Sequence, residues 1–324
     1  MLSMTGKRQS MTKENIPILI TSFNRPDLLS KVLRATKSSG CLNIYFATDG
    51  PRNLDDKNNI KECIDILLSF FPAIQPKQIL RHEVNLGCRI AMATNIRWFF
   101  EQVELGIVLE DDCLPSPHFF DYIISALEHF QSDSEVFLVS GYSPIAWDNS
   151  ESIRKSVYPL VWGWGSWADR IKKYEQNFKD YRKVVSQGHE LSLGQAWGFF
   201  GKIKWRLIMK LAGDGTFDTW DYSLTAAAWR NRMYSIHSSR NYIENLGFRE
   251  DATHTNKDAP TWAKRTLDAK LIEGSLMPRL GYGVREANLD LEVSRQIFTT
   301  TFRGWLRLKL SLIKKDYFSR KNLK

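Results

Sequence analysis

Leu105-Gly-Ile-Val-Leu-Glu110-Asp111-Asp112-Cys-Leu-Pro115 sets a short apolar run directly before three consecutive carboxylates, and Ser116-Pro117 then opens a new helix. The run Gly106–Leu109 is apolar, short and turn-bounded, the pattern of a buried parallel strand. Three adjacent acids at its carboxyl end repel one another and are costly to desolvate. A hard divalent cation, Mg²⁺ or Mn²⁺, relieves that repulsion and takes carboxylate oxygens alongside the phosphates of a substrate. An exposed acidic turn is the plainer reading of adjacent aspartates. The place at a strand end favours the cation, because ligands of open α/β sheets sit outside the carboxyl ends of the strands.

Upstream, Ile16–Ser22 reads as the first strand and runs into Phe23-Asn24-Arg25-Pro26-Asp27. Pro26 suits the first helical position and Asp27 the first turn, and Leu28–Thr36 then has helical apolar spacing. A second strand, Asn43–Thr48, ends in the turn Asp49-Gly50-Pro51-Arg52, which puts another carboxylate at a strand end. Helix is expected over Asp55–Phe70 and a third strand over Lys77–Arg81. The Gly87 turn then leads into a helix carrying Ile90, Ile96, Trp98 and Phe99. Downstream of the acidic stretch come a helix near Pro117–Phe130 and a strand at Val136–Val139. Strands alternating with helices in this way predict a doubly wound α/β sheet. Beyond Gly141 the pattern loosens into Trp-rich loops, with helical stretches at about Gln195–Leu211 and Asp221–Asn231, expected to complete the same sheet.

The 324 residues allow one large domain or two small ones, and 43% hydrophobic with 25% charged residues is the composition of a globular protein. Eleven Trp point to aromatic-lined surfaces or pockets. Cys41, Cys63, Cys88 and Cys113 show no CxxC spacing and no paired histidines, so neither zinc nor a disulfide framework is signalled, and a reducing cytoplasmic setting is expected. Met1–Asn15 is polar and is read as a flexible N-terminus, not a signal peptide. The net charge of +9 is uneven: residues 299–324 hold eight basic side chains against Asp316, which is +7 of the total.

Six motifs in order carry a family resemblance: Thr21-Ser-Phe-Asn-Arg25-Pro26, Asp49-Gly-Pro-Arg52, Asn85-Leu-Gly87, Leu109–Pro115, Trp162-Gly-Trp-Gly-Ser-Trp167 and Asn245-Leu-Gly-Phe with Asp251-Ala-Thr-His254-Thr. Together, over about residues 16–256, they resemble bacterial nucleotide-diphospho-sugar glycosyltransferases of the GT-A fold, family-2-like. The Glu-Asp-Asp variant of the DXD motif is similar to that of the N-acetylglucosaminyltransferase I group. The resemblance implies a GT-A fold with a mostly parallel central sheet flanked by helices, its nucleotide-sugar half at 16–140 and its acceptor half at 141–260. A C-terminal extension at 261–298 and a basic amphipathic tail at 299–324 would follow.

It also implies roles. Thr21, Arg25 and Asp49 would line the nucleoside pocket, Asp49 accepting from base or ribose. Gly87 would let the chain approach the donor, with Arg89 nearby. Glu110 and Asp111 would bond the ribose or donor sugar, and Asp112 would ligate the Mn²⁺ or Mg²⁺ that bridges the diphosphate. Trp162, Gly163, Trp164, Gly165 and Trp167 would form a glycine loop beside donor and acceptor, although large aromatics mostly serve packing. Inverting transfer needs a general base for the acceptor hydroxyl. Asp221 is the candidate, with Asp218 and Asp214 as rivals and helix capping as the alternative role. His254 would be a second metal ligand. Glu-Asp-Asp departs from Asp-x-Asp, which leaves open how many carboxylates meet the metal.

On a helical wheel the tail gathers Phe302, Trp305, Leu306, Leu308, Leu310, Leu312 and Ile313 opposite Arg303, Arg307, Lys314 and Lys315, with Lys309 an intruder. That pattern fits a helix in a membrane interface on anionic headgroups, or a helix docked on the protein's own core; no nucleic-acid motif accompanies the charge. The expected activity is metal-dependent transfer of a sugar from a nucleotide-diphosphate donor to a glycan or lipid-linked glycan in surface polysaccharide synthesis. The setting would be the cytoplasm, peripheral at the inner face of the cell membrane. A sugar-nucleotide pyrophosphorylase is the rival enzyme, but Thr21–Pro26 has no Gly-rich basic loop for a triphosphate. A non-catalytic carbohydrate-binding protein of the same fold would predict a broken acidic motif, and Glu110, Asp111 and Asp112 are all intact.

Overall fold

β1 (Ile18–Ser22) is buried along its whole length and is the strand from which the sheet grows in both directions. The computed structural model describes residues 11–147, 153–248, 260–265, 267, 282–299, 303 and 306. From β1 the chain passes through α1 (Pro26–Ser38), β2 (Ile44–Thr48), α2 (Leu54–Phe70), a 3₁₀ turn at Pro76–Gln78, β3 (Ile79–Arg81) and α3 (Cys88–Phe100) to β4 (Leu105–Glu110). These strands pair in parallel in the order β3-β2-β1-β4. The chain thus moves outward from β1 to β3 and then returns to the other side of β1. Connections leave β1 and β4 in opposite directions, and the crevice beyond their carboxyl ends is the switch point where such sheets hold ligands.

The second half adds β5 (Cys113–Pro115), α4 (Phe119–Phe130), β6 (Val136–Ser140), β7 (Ile153–Ser156), β8 (Trp164–Trp167), α5 (Ala168–Ile171), α6 (Tyr181–Leu191), α7 (Phe199–Gly213), α8 (Asp221–Arg230), β9 (Tyr234–Ser238), β10 (Ile243–Asn245) and α9 (Val284–Gln296). The main sheet runs β3-β2-β1-β4-β8-β6-β9-β7. Here β8 is antiparallel to both neighbours, β9 is parallel to β6, and β7 is antiparallel to β9. β5 and β10 form a separate antiparallel ribbon. The fold is mixed α/β, a mostly parallel central sheet flanked by helices, as the strand–helix alternation predicts. Side chains alternate across the sheet. Ile18, Ile20, Phe46 and Ile107 pack with Leu29, Val32, Ile123 and Leu127 on one face. Leu19, Ala47, Val108 and Trp164 pack with Ile96, Phe99 and Leu224 on the other.

Trp164–Trp167, expected within a glycine loop, is instead the strand β8 at the middle of the sheet. Trp164 faces one core and Trp167 the other, at 0% and 2% exposure. Gly165 lies against α4, where a Cβ would stand 2.9 Å from Leu127 and 3.0 Å from Ile123. The physical reason is packing: two indoles that flank a close helix contact at Gly165 fill the layers on either side of the strand. The helix expected from Gln195 begins at Phe199, after a turn through Leu193 and Gly194.

The extension expected at 261–298 is tied to the sheet edge by a buried ion pair. Asp290 of α9 takes Arg154 Nη1 and Ser156 Oγ at 2.7 Å each on one oxygen. Its other oxygen takes Val157 N and Tyr282 Oη at 2.8 Å each. Arg154 and Asp290 are 2% and 0% exposed, and the Trp147 ring lies over the guanidinium at 5.0 Å. Arg154 Nε and Nη2 have no hydrogen-bond partner among the described residues, so this cation depends on one carboxylate. Asp290→Ala should therefore cost about 3–5 kcal/mol in unfolding free energy, because it strands a buried guanidinium. Urea denaturation of the two proteins checks the value, and a loss below about 1 kcal/mol would show that the pair is solvated.

Candidate functional site

A cavity of about 530 Å³ occupies the switch-point crevice. Its walls are the chain after β1 from Thr21 to Arg25, the turn after β2 with Asp49 and Arg52, and Asn85, Gly87 and Cys88 before and into α3. Glu110–Asp112 after β4, Trp162, and the segment from Asp218 to Asp221 complete the lining. Of the residues expected to form the site, Thr21, Arg25, Asp49, Gly87, Glu110, Asp111, Asp112, Trp162 and Asp221 meet here. Arg89, Gly163, Trp164, Gly165 and Trp167 do not line it. His254 and most of the 299–324 tail lie outside the described residues.

Arg25 is the hub. Its Nη1 donates to Asp112 Oδ2 at 2.9 Å, and its Nη2 donates to Asp111 Oδ1. Asp111 Oδ2 accepts from Ser22 Oγ at 3.0 Å and from Phe23 N at 3.3 Å. Asp111 is 1% exposed, and its carboxylate is taken up in fixing the loop after β1 to the end of β4. Burial alone would lower the Arg25 pKa, but Asp111 and Asp112 outweigh it and raise it, so the guanidinium stays charged. Glu110, by contrast, is pushed well above the usual carboxylate range, first by burial and then by Asp112, with Arg25 opposing. One guanidinium thus faces three carboxylates, and the crevice is under-neutralised.

Do these residues fit a divalent cation? Among the described residues no three His, Cys, Asp or Glu side chains converge as an all-protein cage would require. Mg²⁺-type ions are more often held by one or two carboxylates and completed by substrate phosphates. Glu110 and Asp112 are partly exposed and turn carboxyl oxygens to the cavity. The chain also closes tightly on Asp112: Leu246 N donates to its carbonyl at 2.8 Å, and a Cβ at Gly247 would stand 2.3 Å from its Oδ2. Glu110 and Asp112 fit a cation of this substrate-completed type.

Asp49 is engaged differently from the expected contact with base or ribose. Its Oδ1 accepts from Gly50 N and Leu86 N at 2.8 Å each, and its Oδ2 from Asn85 Nδ2 and Gly87 N at 3.0 Å each. A carboxylate has about four acceptor positions, and the protein fills them. Asp49 is therefore the clamp that holds the Asn85–Gly87 turn, where Gly87 adopts φ +79°, against the cavity. Arg89 is likewise turned away from the cavity: its Nη2 donates to Gln176 O at 2.9 Å and to Asn177 Oδ1 at 2.6 Å.

Across the cavity, Asp221 is the first residue of α8 and Asp218 lies just before it. Asp221 Oδ1 accepts from Tyr222 N at 2.9 Å and from Thr219 Oγ1. Asp218 Oδ1 accepts from Arg89 N at 3.0 Å, capping the first turn of α3. Asp214 binds Thr216 and does not line the cavity. Trp162 reaches the cavity from an aromatic cluster, stacked on Trp262 at 5.5 Å and 25°, with Tyr142 at 4.4 Å.

Arg52 closes the turn that begins at Asp49. It lines the cavity, lies over the Phe23 ring at 4.8 Å, and donates through Nε to Asp56 Oδ2 at 2.7 Å. Asn24 Nδ2 also reaches Asp56, at 2.6 Å, so this carboxylate joins the turns after β1 and β2. Only its position in the same strand-end turn as Asp49 could have signalled it.

No protein-family model matches the chain, and no curated protein matches it. Among solved structures, a similarity extends to the galactosyltransferase LgtC in complex with donor and acceptor sugar analogues. It has 9% identity and a TM-score of 0.35, and covers 68% of this chain and 73% of that one.

The Asp56 contacts set a pH dependence. The Arg52 hydrogen bond, aided by Asn24 and opposed by burial, lowers the Asp56 carboxyl from its ordinary 3.8 to about 2. A depressed carboxyl contributes stability above its unfolded value and loses it as pH falls through the folded one. Arg52 is half exposed, so the contribution is about 1 kcal/mol after screening. The stability advantage over Asp56→Asn should be full at neutral pH and vanish on acidification to about 2; thermal melts across that range read it directly. An advantage that persists unchanged in acid would assign it to shape and not charge.

Proposed function

We propose that this protein is a metal-dependent glycosyltransferase. It moves a sugar from a nucleotide-diphosphate donor to a hydroxyl of a glycan or lipid-linked glycan acceptor, with inversion at the anomeric carbon. The observation that carries the reading is a pairing across one switch-point cavity. An acid cluster with too little cationic charge stands on one wall, and a helix-start carboxylate, Asp221, stands on the other.

The donor's nucleoside fits the wall built by Thr21–Arg25, Arg52 and the turn that Asp49 holds. Glu110 and Asp112 would hold a Mn²⁺ or Mg²⁺ ion together with the donor's phosphates, His254 being a further proposed ligand. The ion, when bound, neutralises the charge that develops on the departing nucleoside diphosphate. Arg25 keeps Asp111 and Asp112 in place and holds the β1 and β4 loops at a fixed separation. In the transfer, the bond between anomeric carbon and phosphate oxygen breaks as the acceptor oxygen bonds to that carbon. Asp221 takes the acceptor's hydroxyl proton. The Thr219 hydroxyl and the Tyr222 amide fix the carboxylate for that task. Asp218 holds α3 beside it through Arg89 N.

Calorimetry of the full chain with UDP, GDP and dTDP, with and without Mn²⁺, tests this. One nucleoside diphosphate should bind in the presence of metal, and Asp112→Ala should weaken that binding by more than about tenfold. Asp221→Asn should keep the binding and slow transfer by about 10²–10⁴. Absence of binding by every nucleoside diphosphate, or binding indifferent to metal, would remove the reading. Preference for a nucleoside triphosphate and sugar phosphate would replace it with a pyrophosphorylase.

A further inference from the structure

α7 contains Lys202, Lys204, Arg206 and Lys210 and no acidic residue. With the +7 of residues 299–324, these four cations exceed the chain's net charge of +9, so the remainder of the protein is slightly acidic. The basic character of this protein is confined to one helix and one terminal segment.

The two are joined. Lys204 is 7% exposed, and its Nζ donates to Phe298 O at 2.6 Å and to Thr299 Oγ1 at 2.8 Å, so the chain at the start of the basic segment is held against α7. The outward side of α7 is also unusual. Phe199, Ile203, Arg206 and Lys210 follow the i, i+4, i+7, i+11 spacing of a single helical face. Phe199 is 75% exposed, Arg206 and Lys210 are exposed, and Leu193 in the preceding turn is 49% exposed. None of Lys202, Arg206 and Lys210 pairs with a carboxylate among the described residues.

We propose that the outward face of α7, with Phe199 and Leu193 at its amino end, is a docking surface for an anionic lipid bilayer. Charge complementarity selects this occupant: apolar side chains interspersed only with cations suit an interface where rings enter between acyl chains and cations meet headgroup phosphates. A second copy of this chain would bring an identical basic face against it, at a repulsive cost.

The test uses full-length protein and vesicles of phosphatidylcholine alone or mixed with phosphatidylglycerol. Wild type should co-sediment with the anionic vesicles only, and less as salt is raised. Phe199→Ser should weaken that binding several-fold, and Arg206→Glu with Lys210→Glu by more than about tenfold. Circular dichroism and nucleotide binding of the variants should match wild type, since these side chains are exposed and none of them lines the cavity. Equal vesicle binding by wild type and both α7 variants would overturn the proposal, as would failure of wild type to bind anionic vesicles. Loss of self-association in the variants without loss of vesicle binding would overturn it in favour of a second copy.

Discussion

The Arg25 guanidinium reaches from the loop after β1 to two successive aspartates at the end of β4. β1 and β4 are neighbours whose connections run in opposite directions, so their loops face each other with no backbone hydrogen bonds to set the gap between them. Side chains must set it. Arg25 does so with Ser22 and the Phe23 amide, which complete Asp111 from the other side. An ion pair this buried is strongly destabilising to break from one side, which makes it a rigid spacer. It also leaves two carboxyl groups facing the cavity: the cavity side of Asp112, and Glu110, which burial first and Asp112 second hold against ionisation.

The acids around this cavity divide by what they are bonded to. Asp49, Asp56 and Asp111 spend their oxygens on backbone amides, guanidinium groups and a serine hydroxyl, and each joins two loops from different strand ends. Asp218 is bound to the first turn of α3. Glu110, Asp112 and Asp221 border the cavity as well, Asp112 held by Arg25 and Asp221 by the Thr219 hydroxyl and the Tyr222 amide. Acid content alone would have made all seven equivalent; hydrogen bonding shows which of them tie two loops together.

The sequence shows some of this and hides the rest for definable reasons. Alternating apolar patterns and the Pro26 and Gly87 punctuation are local properties, so the strands through β4, the helices between them and the acidic strand end could all be read in advance. The crevice residues from Thr21 to Asp112 were legible for the same reason, since they lie at strand ends or in the turns that follow them. The role of Asp49 was not, because its partners are the amides of Leu86 and Gly87 and nothing near Asp49 announces them. Trp164 and Trp167 look like a sugar-binding loop because glycines separate them. Only the antiparallel pairing of β8 with β4 and β6 shows that they are core. Asp290 reads as one acid on an amphipathic helix, and its meaning depends on Arg154, 136 residues away.

α7 connects the two ends of the functional reading. It is 15 residues long, about 22 Å, and rigid at its carboxyl end, where Gly213 accepts from Phe178 N and Leu211 accepts from Phe217 N. The chain then reaches Asp218 and Asp221 after one short turn, so the helix that presents the basic face also leads directly into the cavity wall that they form. A surface bound along that face would lie at a fixed distance from Asp221. On the proposed reading, an acceptor carried in such a surface and the carboxylate proposed to activate it would then be tied together by α7 and the turn that follows it.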